Sequence, residues 1–182
     1  MAAAMRVLLD FEATTRGLRR VAGEIVERAG GASSVALVGI RRGGVPVAAA
    51  IAKAIEDLEG VRVPVGAVDI SLYRDDAATA LPSPQIGRSD VPFAFAGRRV
   101  VIVDDVLYTG RTVRAALDAL LDYGRPEKIE LATLIDRGGR ELPIQPDFVV
   151  KTATIGPGER VDVEVDAGGL RAVVRSAGET TP

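Results

Sequence analysis

The sequence predicts an α/β fold, one domain over residues 1–182, with a mainly parallel central sheet flanked by helices. Three observations predict it. Residues 35–40, 100–103 and 128–135 are short runs rich in Val, Ile and Leu, the pattern of strands buried on both faces. Segments with apolar residues three and four apart stand before and between them, which places helices across the sheet. A chain of 182 residues, 47% apolar and free of low-complexity linkers or internal repeats, suits one core rather than two.

Taken in order, residues 14–28 set Leu18, Val21, Ala22 and Ile25 on one helical face, and Gly30-Gly31 ends the pattern. The strand at 35–40 runs into Arg41-Arg42-Gly43-Gly44-Val45-Pro46, ahead of a helix over about 47–58. A glycine pair with proline in the first helical turn makes a tight βα turn that lets backbone approach a ligand, and two arginines beside it suit a diphosphate. An ordinary turn with solvated arginines would read the same way. Residues 61–72 form a second strand, interrupted by Pro64 and Gly66. Residues 77–97 are rich in Ala, Pro, Ser and Gly without a steady period, so about 73–97 reads as a long functional loop. After the strand at 100–103, Val113, Ala116, Leu117, Leu120 and Leu121 share one helical face. The strand at 128–135 and a shorter one at 146–151 follow, and alternating Val161, Val163, Val165 and Leu170, Ala172, Val174 predict a terminal hairpin over about 160–176.

Composition excludes several chemistries. The chain has no cysteine and no histidine, so disulfides, thiolate nucleophiles, imidazole bases and Cys/His zinc sites are ruled out. Any metal would be held by oxygen, which means Mg²⁺ or a relative. The net charge of −2 is no footprint of a general polyanion binder. No apolar run approaches the ~20 residues of a membrane span, and the start lacks a secretory signal's apolar core, so a cytoplasmic location is expected.

The densest chemistry lies at residues 100–112. Asp104-Asp105 follows the buried run and sits at the C-terminal end of a strand, where open α/β sheets bind ligands. Thr109-Gly110-Arg111-Thr112 then opens a helix, gathering hydroxyls and free N–H groups at an N-terminus that attracts a phosphate. Carboxylates suited to hydroxyls or Mg²⁺ one short loop from a phosphate cradle suggest a ribose 5-phosphate. Acid pairs also occur as helix caps or solvated loop residues.

The wording of residues 103–116, Val-Asp-Asp-Val-Leu-Tyr-Thr-Gly-Arg-Thr-Val-Arg-Ala-Ala, resembles the phosphoribosyl pyrophosphate (PRPP) loop of type I phosphoribosyltransferases. It is most similar to that of the PyrR family, uracil phosphoribosyltransferases that also regulate pyrimidine operons. Ser71-Leu72-Tyr73-Arg74-Asp75-Asp76 resembles the family's Thr-Leu-Tyr-Arg-Asp-Asp at the root of a flexible hood, and Asp136-Arg137-Gly138-Gly139-Arg140-Glu141-Leu142-Pro143 resembles its Asp-Arg-Gly-His-Arg-Glu-Leu-Pro. The likeness runs to Lys151 and fades over residues 152–158.

The resemblance implies a type I phosphoribosyltransferase fold and formation of UMP and diphosphate from uracil and PRPP with Mg²⁺. It implies that Asp104 and Asp105 bind the ribose hydroxyls directly or through Mg²⁺, and that Val106, Leu107, Tyr108, Thr109, Gly110, Arg111 and Thr112 wrap the 5′-phosphate. Arg41, Arg42, Gly43 and Gly44 would form the pyrophosphate loop. Arg42 and Arg74, with Tyr73 and Arg88 from the hood, would neutralise or clamp the diphosphate. Purine transferases place an acid just before Thr-Gly, where this chain has Tyr108, which favours a pyrimidine. Uracil would then sit near Asp136, Arg137, Val149 and Lys151.

For the regulatory half, Arg19, Arg20, Arg137, Arg140 and Lys151 are the candidates to meet a pyrimidine-operon leader mRNA. The chain departs from the family at Gly23 and Gly139, where histidines are usual, and at Gly43, where the aligned residue is arginine. The resemblance also implies a homodimer or higher homo-oligomer. A nucleotide-sensing RNA-binding regulator with little or no activity, and a transferase for another base, are the alternatives.

Overall fold

The computed structural model describes residues 5–74 and 88–176. A five-stranded parallel sheet forms its centre, with strand order β3-β2-β4-β5-β6. These strands are β2 (Val35–Ile40), β3 (Val65–Val68), β4 (Arg99–Leu107), β5 (Lys128–Asp136) and β6 (Phe148–Thr152). A second, antiparallel sheet has the order β1-β8-β7, from β1 (Arg6–Leu9), β7 (Glu159–Asp166) and β8 (Gly169–Ser176). Among the described residues there are also three helices: α1 (Phe11–Ala29), α2 (Gly44–Glu59) and α3 (Arg111–Leu121).

Alternation along the strands divides the core in two. Leu37, Val101, Val103 and Leu134 face α1 and α2, meeting Val21, Ile25, Val47 and Ile51. Val38, Ile40, Val100 and Ile102 face the other way, against Val113, Ala116 and Leu120 of α3 and against Phe95. Because both faces are covered, the central strands are apolar throughout instead of alternating with polar residues. Each fully buried Leu, Ile or Phe contributes roughly 1.5–3 kcal/mol. Helix α1 comes close to the edge strand because residue 17 is glycine: a Cβ there would stand 2.3 Å from Val150 Cγ1.

Several elements differ from the sequence expectation. Helix α1 starts at Phe11, not residue 14, because the Asp10 carboxylate accepts from Ala13 N at 2.7 Å and caps it. Strand β1 was not anticipated; its partner is β8, more than 160 residues away, with Arg6 opposite Val174. The strand expected over 61–72 shrinks to Val65–Val68, and Asp69–Tyr73 turns away from the sheet, with Tyr73 N donating to Ile70 O.

Strand β4 does not stop at the acid pair. It continues through Asp104 and Asp105 to Leu107, because β5 still pairs with it there, Val106 opposite Ile135 and Leu107 opposite Asp136. On α3, Leu121 is exposed rather than buried, and Ala115 and Ala119 take the buried places beside Val113, Ala116 and Leu120. The end of the expected 73–97 loop is anchored: Asp90 bridges Ala67, and Phe95 is buried. Residues 75–87 of that loop lie outside the described residues. No helix among the described residues is long and apolar enough to cross a membrane.

Candidate active site

The parallel strands β2, β3 and β4 end on the same side, and there a cleft of about 290 Å³ opens. From the end of β2 come Arg41, Arg42 and Gly43, joined through a cis Arg41-Arg42 peptide. From the end of β3 come Asp69 and Ser71, from β4 come Asp104, Asp105 and Val106, and the first turn of α3 adds Thr112. Arg74 closes one side. Helices α2 and α3 both start at this edge, and neither has a side-chain cap, in contrast to Asp10-capped α1. At α3 the Thr109 hydroxyl accepts from Arg111 N at 3.3 Å, and the other first-turn N–H groups with the helix dipole favour an anion at each start.

The two arms of the cleft touch through glycines. A Cβ on Gly43 would stand 2.0 Å from Asp105 Oδ2, and one on Gly44 would stand 2.1 Å from Val103 O. The pyrophosphate-type turn therefore presses directly on the acid-bearing strand, and only glycine permits it. At position 43, where the family has arginine, any side chain on this backbone must displace the Asp105 carboxylate.

Asp104 is 5% exposed, yet it lines the cleft. Burial first, and the neighbouring Asp105 charge second, push its carboxyl well above the ordinary carboxylate range. Asp104 Oδ1 accepts from Asp105 N at 2.9 Å, and Asp105 Oδ1 accepts from Val106 N at 2.8 Å. The two carboxylates offer only oxygen, and the remaining described acids form no cluster of three or more that could hold a metal. Such a pair suits a hard cation that keeps most of its waters and leans on substrate oxygens.

The loop from β4 to α3 is held by the segment after β5. Leu107 O accepts from Arg137 N at 3.0 Å, Tyr108 O from Arg140 Nη1 at 3.0 Å, and Thr109 O from Glu141 N at 2.9 Å and Leu142 N at 3.2 Å. Arg111 Nε donates to Glu141 at 2.7 Å. Gly110 takes φ 92°, a conformation that suits glycine at the start of α3.

Of the expected residues, Arg41, Arg42, Gly43, Arg74, Asp104, Asp105, Val106 and Thr112 share the cleft. Gly44 lies behind it against β4, and Leu107 is buried in the core. Tyr73 does not reach the cleft; its hydroxyl bonds Asp122 just past α3, which raises the phenol pKa. Arg88 lines a neighbouring cavity of about 440 Å³ with Arg41 and Asp90.

At the base end, the Arg137 guanidinium stacks 4.1 Å over the Tyr108 ring. Asp136 pairs with Arg140 at 2.8 Å; burial raises its pKa, but the Arg140 and Gly138 hydrogen bonds outweigh that and hold it below the usual range. The cations read as an RNA face differ in what they meet. Arg20 donates to Val149 O and Val150 O, Lys151 to Leu8 O, and Arg140 is turned inward, while Arg19 lines a groove between α1 and α2. At the two departures, Gly23 faces open space, whereas a Cβ on Gly139 would stand 2.4 Å from the Tyr108 ring.

Sequence reading missed Asp69 and Ser71 in the cleft. Asp69 Oδ1 accepts from Ser71 N, and Asp69 N donates to Ser89 Oγ, both at 2.8 Å, which ties the hood root to the returning loop. The signal was an acid directly after Val68, the same placement as Asp104 after Val103 on β4, which lies on the other side of β2.

A parallel sheet with an acid pair at the end of a central strand, an uncapped phosphate-type turn beyond it and a glycine turn pressed against it defines a phosphoribosyltransferase. The phosphoribosyl transferase domain profile matches residues 7–167. Hypoxanthine phosphoribosyltransferase of Trypanosoma cruzi shares the fold with a TM-score of 0.68 at 19% identity, over 94% of this chain and 97% of that one. The Staphylococcus aureus hypoxanthine enzyme does so at 0.64 and 23% identity, over 86% and 80%.

The chain belongs to the PyrR family. Bifunctional protein PyrR of Roseiflexus sp. (strain RS-1) is 56% identical over 164 residues, 88% of this chain and 90% of that protein. Its counterpart from Chloroflexus aurantiacus is 54% identical over 168 residues, 92% of each.

Proposed function

We propose that this chain transfers the phosphoribosyl group of PRPP to uracil, giving UMP and diphosphate, at the cleft between β2, β3 and β4. The observation that carries this is the convergence of two uncapped helix starts on either side of the Asp104-Asp105 pair. A substrate with a phosphate at one end, a diphosphate at the other and hydroxyls between matches that spacing of charge.

The start of α3, with Thr109 and Thr112, takes the 5′-phosphate. Asp105 and Asp104 hold the ribose hydroxyls. Asp104 is nearly buried, so its ionisation and its exchange of protons with hydroxyls depend on what binds beside it. The start of α2 with Arg41, Arg42 and Arg74 receives the diphosphate and offsets the charge that grows as it leaves. The acid pair fits Mg²⁺ brought in with PRPP, which would supply further charge on the leaving group. The reaction needs no covalent nucleophile; fixing the sugar with the base nitrogen opposite the departing diphosphate suffices. Uracil is assigned to the ends of β5 and β6, near Asp136, Arg137, Val149 and Lys151, with Tyr108 in place of the acid a purine site would use.

The test is incubation with PRPP, Mg²⁺ and, separately, uracil, orotate, xanthine and hypoxanthine. UMP should form from uracil and be lost in Asp104→Asn; inactivity toward uracil would overturn the reading. A regulatory reading stands beside it because the relatives carry the name bifunctional. It is tested by titrating a pyrimidine-operon leader transcript against a scrambled one, with and without UMP. Equal affinities would remove it.

A further inference from the structure

We propose that Arg140 is a positioning residue that aims the Thr109 N–H at the 5′-phosphate; this rests on the phosphate-cradle reading above. The guanidinium is enclosed, with the side chain 13% exposed, and each nitrogen is engaged. Nη1 donates to Tyr108 O at 3.0 Å, Nε to Ile144 O at 2.8 Å, and Nη2 to Asp136 Oδ2 at 2.8 Å and Gln145 Oε1 at 3.4 Å. Arg140 ties together three internal segments: the phosphate turn, the end of β5 and the loop before β6.

Peptide geometry gives the tie its consequence. In a planar trans peptide the C=O and the next residue's N–H point in opposite directions. The carbonyls of Leu107, Tyr108 and Thr109 all turn toward residues 137–142, so the N–H groups of Tyr108, Thr109 and Gly110 turn the other way. Backbone donors hold the first and third carbonyls: Arg137 N on Leu107 O, and Glu141 N and Leu142 N on Thr109 O. No substitution other than proline removes those donors. The middle carbonyl is held by Arg140, a side chain, and its release would let the Tyr108–Thr109 peptide rotate. The pair with Asp136 fixes the direction from which the guanidinium reaches in, since both partners are largely enclosed, at 13% and 14% exposure.

The experiment measures PRPP binding by calorimetry with Mg²⁺ and the KM for uracil at saturating PRPP, in the full chain and in Arg140→Gln and Arg140→Lys. Loss of the oriented donor should weaken PRPP about tenfold in Arg140→Gln and raise the uracil KM by distinctly less, the latter only through the release of Asp136. Arg140→Lys, which lacks the planar fork that reaches the Tyr108 carbonyl and Asp136 from separate nitrogens, should fall between Arg140→Gln and the parent chain and keeps the test available if the glutamine variant does not fold. PRPP affinity equal to the parent's in the folded variants overturns the inference alone. An equal rise in both parameters also overturns it, since it marks general collapse of the turn. Absence of PRPP binding by the parent chain sinks the cradle reading and the inference together.

Discussion

Replacing Gly43 by alanine should lower kcat/KM about a hundredfold while leaving the fold intact. The backbone at Gly43 is right-handed helical, φ −64° and ψ −31°, so alanine meets no conformational penalty there. Its Cβ would stand 2.0 Å from Asp105 Oδ2 and 2.4 Å from Asp105 Cγ, where ordinary contact begins at 3.4 Å. The carboxylate must therefore retreat by more than an ångström, and its 2.8 Å bond from Val106 N loosens with it. A shift of about 1 Å in a group that holds the substrate costs on the order of 10²-fold. Stability should change by less than about 1 kcal/mol, because the obstacle is a side chain at the rim of a cleft.

Gly44→Ala is the contrasting case. Its obstacle is Val103 O at 2.1 Å, backbone in the middle of the central sheet, which cannot step aside. That variant should lose about 1–3 kcal/mol of stability as well as activity. Steady-state UMP formation and urea unfolding on both variants separate the two effects. Activity of Gly43→Ala equal to that of the parent chain would refute the claim that Asp105 must stay where glycine allows it.

Three further outcomes follow from the same geometry. Asp104→Asn should abolish transfer yet raise stability at neutral pH by about 1–3 kcal/mol. Asp104 has a folded pKa above its unfolded one, so its contribution is fully present below the ordinary carboxylate range and is lost as pH rises through the raised value; the gap between variant and parent should close on acidification, and a constant gap in urea unfolding across pH would count against it. Arg99→Ala removes the bidentate partner, at 2.9 and 3.0 Å, of Glu130, a carboxylate only 3% exposed, and should cost about 2–4 kcal/mol, with Lys128 and Arg28 limiting the loss; no change in denaturant midpoint would contradict this. Phe148→Ala, at 1% exposure beneath α1, should cost about 3–5 kcal/mol by thermal or chemical unfolding, and a loss under 1 kcal/mol would mean the site collapses freely.

What the sequence disclosed tracks how local the cause was. Strand β2 was legible at both ends because six consecutive buried residues are bounded by Ser34 and Arg41. The end of β4 was not, since the acids at 104 and 105 look like a stop and only pairing with β5 keeps them extended. Strand β1 has four residues, two of them exposed at its start, and owes its conformation to β8 at the far end of the chain. In the site, motifs placed Asp104, Asp105, Arg42 and Thr112 together, because each adjoins a strand end or helix start. Asp69 escaped because Pro64 and Gly66 blurred the strand before it. The carbonyl partners of Arg20, Arg140 and Lys151 were equally hidden, since charge in a sequence does not say which carbonyl it will meet.

The pairing of β1 with β8 has a consequence for synthesis. The five-stranded sheet is complete in sequence by Thr152, so a nascent chain can assemble it while the remainder is still being made. The small sheet must wait, because Arg6–Leu9 is made before the whole of the five-stranded sheet and its neighbour Gly169–Ser176 after it. Until residues 169–176 are made, Arg6–Leu9 therefore waits unpaired, and a chain stalled or cut before residue 169 should carry a formed phosphate turn beside an unfinished antiparallel layer.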